Sequence, residues 1–310
     1  QLDDVSALRA FLTDPSQTKL IHSASEDLEV FFHWLGILPA PLFDTQRAAA
    51  LLGMGAGQSY RALVAHFFDI ELPKDETQSD WLQRPLSNAQ AQYAAQDVSY
   101  LHPMGVQLQN RAMERDRLDW ILEEGARLRP GGKPPIAKFR TAYSLPPEQQ
   151  RVLAEVLDWR EGEARHRDRP RSWILNDKIV MGVARSAPRS VRDLAAVEDM
   201  PQGLVRRAGD ELVARIVAAA DADSDQLPAI ILKPLASEQR RLVSVLSERL
   251  KQIAESLDIP AEVLMPKADL EHLVREQMNP SLVAPESWSG WRADIVVAPL
   301  RQRLQERAAS

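Results

Sequence analysis

The 310 residues predict an α/β domain followed by two all-α helical domains, and three observations carry that prediction. A short apolar strand, Lys19-Leu20-Ile21-His22, runs straight into a helical pattern near the start of the chain. Beyond about Arg129 the chain reads as helix interrupted by proline-rich breaks. The two helical stretches resemble each other when one is shifted by ninety positions.

Length supports several compact units, because a single hydrophobic core stops growing at about 250–300 residues. Hydrophobic residues make up 45% of the chain. No apolar run approaches the roughly 20 residues that cross a bilayer, and no signal-peptide pattern opens the chain, so a soluble globular protein with no membrane partner is expected. The absence of cysteine excludes disulfides, thiolate zinc sites and thiol nucleophiles, and it fits a reducing cytoplasm. Any metal must therefore sit on oxygen or histidine. A net charge of −6 argues against a protein that coats nucleic acid with its whole surface, yet it permits a local basic patch or metal-mediated phosphate contacts. Nothing in the sequence points to an obligate protein partner.

Two breaks divide the chain. RPGGKPPIAKFRTAYSLPP, residues 129–147, cannot sustain a helix and lacks the alternation of a strand, and DADSDQLPAIILKPLAS, residues 221–237, is similarly rich in proline and short polar residues. The expected domains are 1–129, 148–222 and 237–310, with linkers at 130–147 and 223–236. Glu148, Gln149, Arg151, Ala164 and Pro170 match Glu238, Gln239, Arg241, Ala254 and Pro260, and the apolar Val152, Leu153 and Val156 match Leu242, Val243 and Leu246. Two amphipathic helices agree at some positions by chance; the matching prolines favour duplication.

In the first third, KLIHSASEDLEVFF passes from strand to helix with Ser23 and Glu26 spaced as a capping box. Asp27 falls in the first turn, where it either complements the positive helix end or, standing just past a strand's carboxyl end, occupies the usual place of a site in an open α/β sheet. SNAQAQYAAQDVSYL, residues 87–101, is a helix opened by the capping box of Ser87 and Gln90. Tyr93 and Asp97 share one face of it at a spacing of four, which suits a metal-held water, although spacing alone favours a surface tyrosine beside a carboxylate.

Several features are read as structural. Gly53 to Gly57 follow a helix rather than a strand, so GMGAG is a helix end and no phosphate loop. Asp69 of FFDIEL is a turn residue, and the isolated His22 and His33 are assigned no metal. Arg160, Arg165, His166, Arg167, Arg169 and Arg171 form the densest basic run, which fits RNA phosphates and, with Glu161, Glu163 and Asp168 interleaved, equally fits a salt-bridged solvated face.

KLIHSASEDLEVF, PLFDTQRAAALLG and KDETQSDWLQRPLSNAQAQYAAQDVSYL, in that order, resemble successive motifs of the ribonuclease D branch of the DEDD exonucleases, the subgroup with a tyrosine in its last motif. The resemblance implies a ribonuclease H-like exonuclease domain, here N-terminally truncated, followed by two HRDC-like domains, the second divergent and ending in SGWR at Ser289 to Arg292. It implies 3′→5′ trimming of structured RNA such as tRNA precursors by two divalent ions, Mg2+ or Mn2+, with Asp27 and Asp97 as metal-binding carboxylates and Tyr93 orienting the attacking water. Lys74, Ser79, Trp81 and Arg84 would lie near the nucleic-acid path, and Arg165, Arg167, Arg169 and Arg171 would contact RNA. The family's first motif, an aspartate-x-glutamate pair on an apolar strand, is absent before Asp27. The expectation is therefore a fragment with an unpaired sheet edge and poor activity of its own; the alternative is a noncatalytic nucleic-acid-binding protein with a degenerate exonuclease fold.

Overall fold

Two short strands, β1 (Lys19–Ile21) and β2 (Leu42–Asp44), pair in parallel in the computed structural model, which describes residues 4–73, 79–131, 134–222, 230–280 and 282–308. Their register sets Lys19 against Leu42, Leu20 against Phe43 and Ile21 against Asp44, so both strands end at the same level. Helix α1 (Ser6–Thr13) precedes the pair, and α2 (Ser25–Leu35) forms the crossover that parallel strands require. Every residue of β2 is buried, as expected of a strand covered on both faces.

Five helices follow: α3 (Thr45–Leu51), α4 (Tyr60–Phe68), α5 (Asn88–Ser99), α6 (Leu101–Glu114) and α7 (Leu118–Arg127). Glycine lets two of them approach the sheet closely. A Cβ at Gly125 on α7 would collide with the backbone carbonyl of Leu42, and one at Gly105 on α6 would collide with Leu20. Asp69 caps the carboxyl end of α4 in the left-handed conformation, the turn role read from the sequence.

By compactness the described chain divides into residues 1–131 with 236–310, and residues 132–235. The second of these units is built on α8 (Pro147–His166), which packs against α10 (Asp177–Ser186) and α12 (Gln202–Asp221), with short α9 (Arg171–Ile174) and α11 (Val191–Ala195) completing it. Its core includes Leu153, Val156, Ile179, Val183, Leu212 and Ile216. The proline- and glycine-rich stretch joins this core: over 135–144 it folds as two 3-10 turns that bury Ile136 and Ala142.

The remaining helices, α13 (Ser237–Leu257), α14 (Ala261–Leu264), α15 (Lys267–Met278) and α16 (Ala298–Ala308), belong with the strands. The internal repeat is structural: α13, α14 and α15 begin ninety positions after α8, α9 and α10. The SGWR segment fastens this helical part to α7. Trp291 stacks on Trp120 with centroids 4.6 Å apart, and Arg292 pairs with the buried Glu124 while donating to the carbonyls of Val263 (3.0 Å) and Leu264 (2.9 Å). No helix among the described residues is long and apolar enough to cross a membrane.

Candidate active site

Asp44, the last residue of β2, is 3% exposed, and its carboxylate organises both strand ends. Oδ1 accepts from the backbone N–H groups of Gln46 (2.8 Å), Arg47 (3.3 Å) and Ser23 (3.2 Å), and Oδ2 accepts from that of Ala24 (2.9 Å). The first two donors begin α3, the normal work of an N-cap aspartate. The others lie in the turn from β1 into α2. The expected capping box of Ser23 and Glu26 does not form, because Ser23 takes a left-handed φ of 58° outside the helix and its N–H turns to Asp44 instead.

Asp27 lies in the first turn of α2, exposed beyond that anchored corner. Loss of hydration pushes its carboxyl above the ordinary aspartate value; a backbone hydrogen bond opposes the rise, and the charges of Glu26 and Asp44 add to it. No lysine or arginine pairs with it among the described residues.

Helix α5 carries the other two residues, and its start is fixed as the sequence predicts. Ser87 and Gln90 form the capping box, and the buried Gln90 amide also donates to Ser79 Oγ (3.1 Å) and the Asp80 carbonyl (3.0 Å). Its far end is held by Tyr60, whose hydroxyl donates to the carbonyl of Gln96 (3.2 Å) and accepts from the N–H of Tyr100 (3.0 Å). Tyr60 in turn meets His22 edge-on at 5.8 Å, and His22 Nδ1 bonds Thr45 Oγ1 at 3.0 Å. Thr45, His22 and Tyr60 therefore connect the strand ends to the helix of Tyr93 and Asp97.

Burial raises the Asp97 carboxyl above its ordinary value. It also raises the Tyr93 phenol, with the negative charge of Asp97 adding to the effect and Arg61 opposing it. Trp81 packs against Tyr93 with ring centroids 5.8 Å apart. Tyr93 and Arg61 line an open cavity of about 640 Å³ beside α4. Among the described residues no group of three or more histidine, aspartate or glutamate side chains is placed to hold a metal ion. Asp27 and Asp97 each offer hard carboxylate oxygens of the kind Mg2+ and Mn2+ accept.

Comparison with known proteins identifies the family. A 3′-5′ exonuclease family model matches residues 1–112, and an HRDC domain model matches residues 149–216. Ribonuclease D of Pseudomonas paraeruginosa is 40% identical over 301 residues, an alignment covering 95% of this chain and 80% of that protein. The chain belongs to the ribonuclease D family. Ribonuclease D of Escherichia coli K12 is 31% identical over 98% of this chain and 84% of its own length. The crystal structure of Escherichia coli RNase D, described as an exoribonuclease involved in structured RNA processing, superposes with a TM-score of 0.79 at 32% identity, covering 98% of this chain and 83% of that one. The fold is accordingly an exonuclease domain followed by HRDC-type helical structure, and the activity of the family is 3′→5′ exoribonucleolytic hydrolysis.

Within this ribonuclease D framework the sequence-predicted RNA contacts differ among themselves. Lys74 lies outside the described residues. Arg84 turns back on its own loop, donating to the carbonyls of Trp81 (2.9 Å) and Gln83 (2.7 Å). In the 132–235 unit, Arg165 and Arg171 both pair with Glu161, and Arg167 pairs with Glu163, while the Arg169 guanidinium lies 5.7 Å from the ring centre of Trp173. Sequence reasoning missed Asp44 and Tyr60. An aspartate directly before Thr-Gln-Arg and a helical alanine run signals an N-cap, which would have found half of Asp44's role; Tyr60 leaves no local signal, because its partners lie about forty residues away.

Proposed function

We propose that this member of the ribonuclease D family trims the 3′ ends of structured RNA, tRNA precursors among them, in the cytoplasm, with Asp27, Asp97 and Tyr93 as its catalytic residues on this chain. The observation that carries the assignment is that both aspartates have carboxyls raised by desolvation and, among the described residues, no lysine or arginine paired with them. A carboxylate that has lost part of its hydration and has no countercharge is ionised at a cost, and a divalent ion supplies that countercharge. When bound, Mg2+ or Mn2+ supplies Lewis-acid activation of water and stabilises charge on the departing 3′ oxygen.

The residues of the chain do the positioning. Asp27 and Asp97 offer carboxylate oxygens from two different helices. Tyr93, one helical turn before Asp97, presents its hydroxyl on the same face. Because its phenol is pushed further above an already high ordinary value of 10.0, it stays protonated through neutral pH and orients water by hydrogen bonding without acting as a base. Trp81 braces its ring. Lys74, Arg84 and the cluster Arg165, Arg167, Arg169 and Arg171 are assigned to RNA contact, the last four within an HRDC domain spanning 148–222, and residues 237–310 form a second, divergent HRDC-like domain.

The family resemblance implies four carboxylates, of which this chain supplies two, so we expect slow trimming from these 310 residues. The test is a manganese-dependent 3′-trimming assay of the protein and its Asp97→Asn variant. Slow trimming that disappears in the variant supports the assignment. Inactivity on RNA and DNA, with binding retained, would replace it with a noncatalytic nucleic-acid-binding function.

A further inference from the structure

The unit of residues 132–235 holds two tryptophans under opposite conditions. Trp159 on α8 is 3% exposed within the core, whereas Trp173 on α9 is 70% exposed. The fold has no use for the second ring: α9 is anchored by its neighbours Ile174 and Leu175, both buried. An indole is a large apolar surface, and leaving it in water forgoes one of the larger burial gains available to a side chain.

Its surroundings indicate what would cover it. The Arg169 guanidinium lies 5.7 Å from the ring centre and has no carboxylate partner among the described residues. Beside it opens a cavity of about 850 Å³ lined by the cationic Lys138, Arg160, Arg165, Arg169 and Arg171 and by the acidic Glu161, Asp168 and Asp177. Arg160 pairs with Asp177, and Arg165 and Arg171 pair with Glu161; with five cations and three carboxylates along it, the lining is net positive. An aromatic face at the edge of a basic channel is the arrangement that single-stranded nucleic acid fills, phosphates on the cations and a base on the ring. A duplex keeps its bases stacked on one another and offers the ring nothing.

We propose that Trp173 is a stacking platform for one base of a single-stranded nucleic acid whose phosphates lie along the arginine-lined cavity. The phosphate half of this proposal rests on the assignment of Arg165, Arg169 and Arg171 to RNA contact made above; the stacking half is tested separately.

The experiment measures binding of a short fluorescent single-stranded RNA, and of an abasic oligonucleotide of equal length, to the full chain in EDTA, which removes metal-dependent binding elsewhere. Trp173→Ala should weaken binding of the RNA by roughly five- to 150-fold, with Trp173→Phe restoring most of it. Binding of the abasic strand should be the same for wild type and Trp173→Ala. A double variant, Arg165→Glu with Arg169→Glu, should weaken both ligands. Equal RNA affinity of wild type and Trp173→Ala, or an equal loss on the abasic strand, overturns the stacking role. An undiminished affinity of the arginine variant for the abasic strand overturns the phosphate path while leaving the effect of Trp173→Ala to be read independently. Since Trp173 is outside the core, circular dichroism of Trp173→Ala should match wild type.

Discussion

Asp44 and Asp27 bring the same side chain to the same end of the sheet under opposite conditions. Asp44 is buried, and its lone pairs are taken by four backbone N–H groups, two on its own helix and two across the sheet. Asp27 stands in the next turn of the corner that Asp44 builds, exposed and without an ion pair, its carboxyl raised rather than stabilised. Asp97, on α5, shares the second condition. The difference teaches that a carboxylate's role is read from what already occupies its oxygens. Where backbone donors fill them and burial seals them the residue holds the fold, and where most of their capacity faces solvent the residue is available for a ligand.

The comparison breaks if exchanging the two kinds of aspartate has the same consequence. Asp27→Asn or Asp97→Asn should lower the rate of 3′ trimming by at least about a hundredfold, more than the loss usual for a residue that merely supports a metal ligand, while circular dichroism and urea unfolding stay close to wild type. Loss of activity accompanied by unfolding would put these residues in the class of Asp44.

Asp44→Ala should do the reverse first. It orphans backbone donors at Ser23, Ala24, Gln46 and Arg47, each of which carries a penalty of about 1–3 kcal/mol when left buried and unpaired. Some will reach water as the corner relaxes, so a total of about 3 kcal/mol is expected, read as a lower urea midpoint. Asp44→Asn keeps one acceptor oxygen and should fall between. An unchanged midpoint for Asp44→Ala would mean that the corner is held by the Thr45 hydroxyl, which donates to the Ile21 carbonyl at 3.3 Å, and not by the carboxylate.

Tyr93→Phe sharpens the comparison within the proposed catalytic group. Removal of the hydroxyl leaves the ring against Trp81 and should preserve the fold and the KM, while kcat falls about tenfold or more. A phenol raised above 10.0 titrates outside the working range, so the pH profile of wild type should show no limb near neutrality that vanishes in the variant.

What was legible in the sequence was what acts over a few residues. The capping box of Ser87 and Gln90, the left-handed turn at Asp69 and the strand at Lys19 to Ile21 all follow from neighbours within one turn, and the ninety-residue repeat followed from matched prolines that cap α9 and α14. The contacts that assemble the site are different in kind. Asp44 reaches Ser23 and Ala24 across the sheet, Tyr60 reaches Gln96 and Tyr100 across a helix pair, and Arg292 reaches Glu124 from the far end of the chain. Each joins residues twenty or more positions apart, and such pairs have no spacing that a single sequence can display. Ser23 shows the cost of reading local signals alone: its spacing to Glu26 is right, but a distant carboxylate competes successfully for its N–H.

The smallest effect separates the two kinds of aspartate most directly, because it needs no substrate. Asp97 lies in the last turn of α5, where the helix end is negative, and desolvation raises its carboxyl above the ordinary value of 3.8. The folded chain therefore holds this proton more tightly than the unfolded chain does. Between 3.8 and the raised folded value the folded state binds more protons, so stability falls as pH rises through that window, and above it the ionised carboxylate remains a constant cost. Asp97→Asn removes the cost. In EDTA at pH 7 the variant should be more stable than wild type by less than about 1 kcal/mol, a small gain because the residue is exposed and screened, and below the window the two should melt together. Added Mn2+ should then reverse the order at neutral pH, raising the melting temperature of wild type but not of the variant, since only an ion bound through that carboxylate can turn its cost into binding energy.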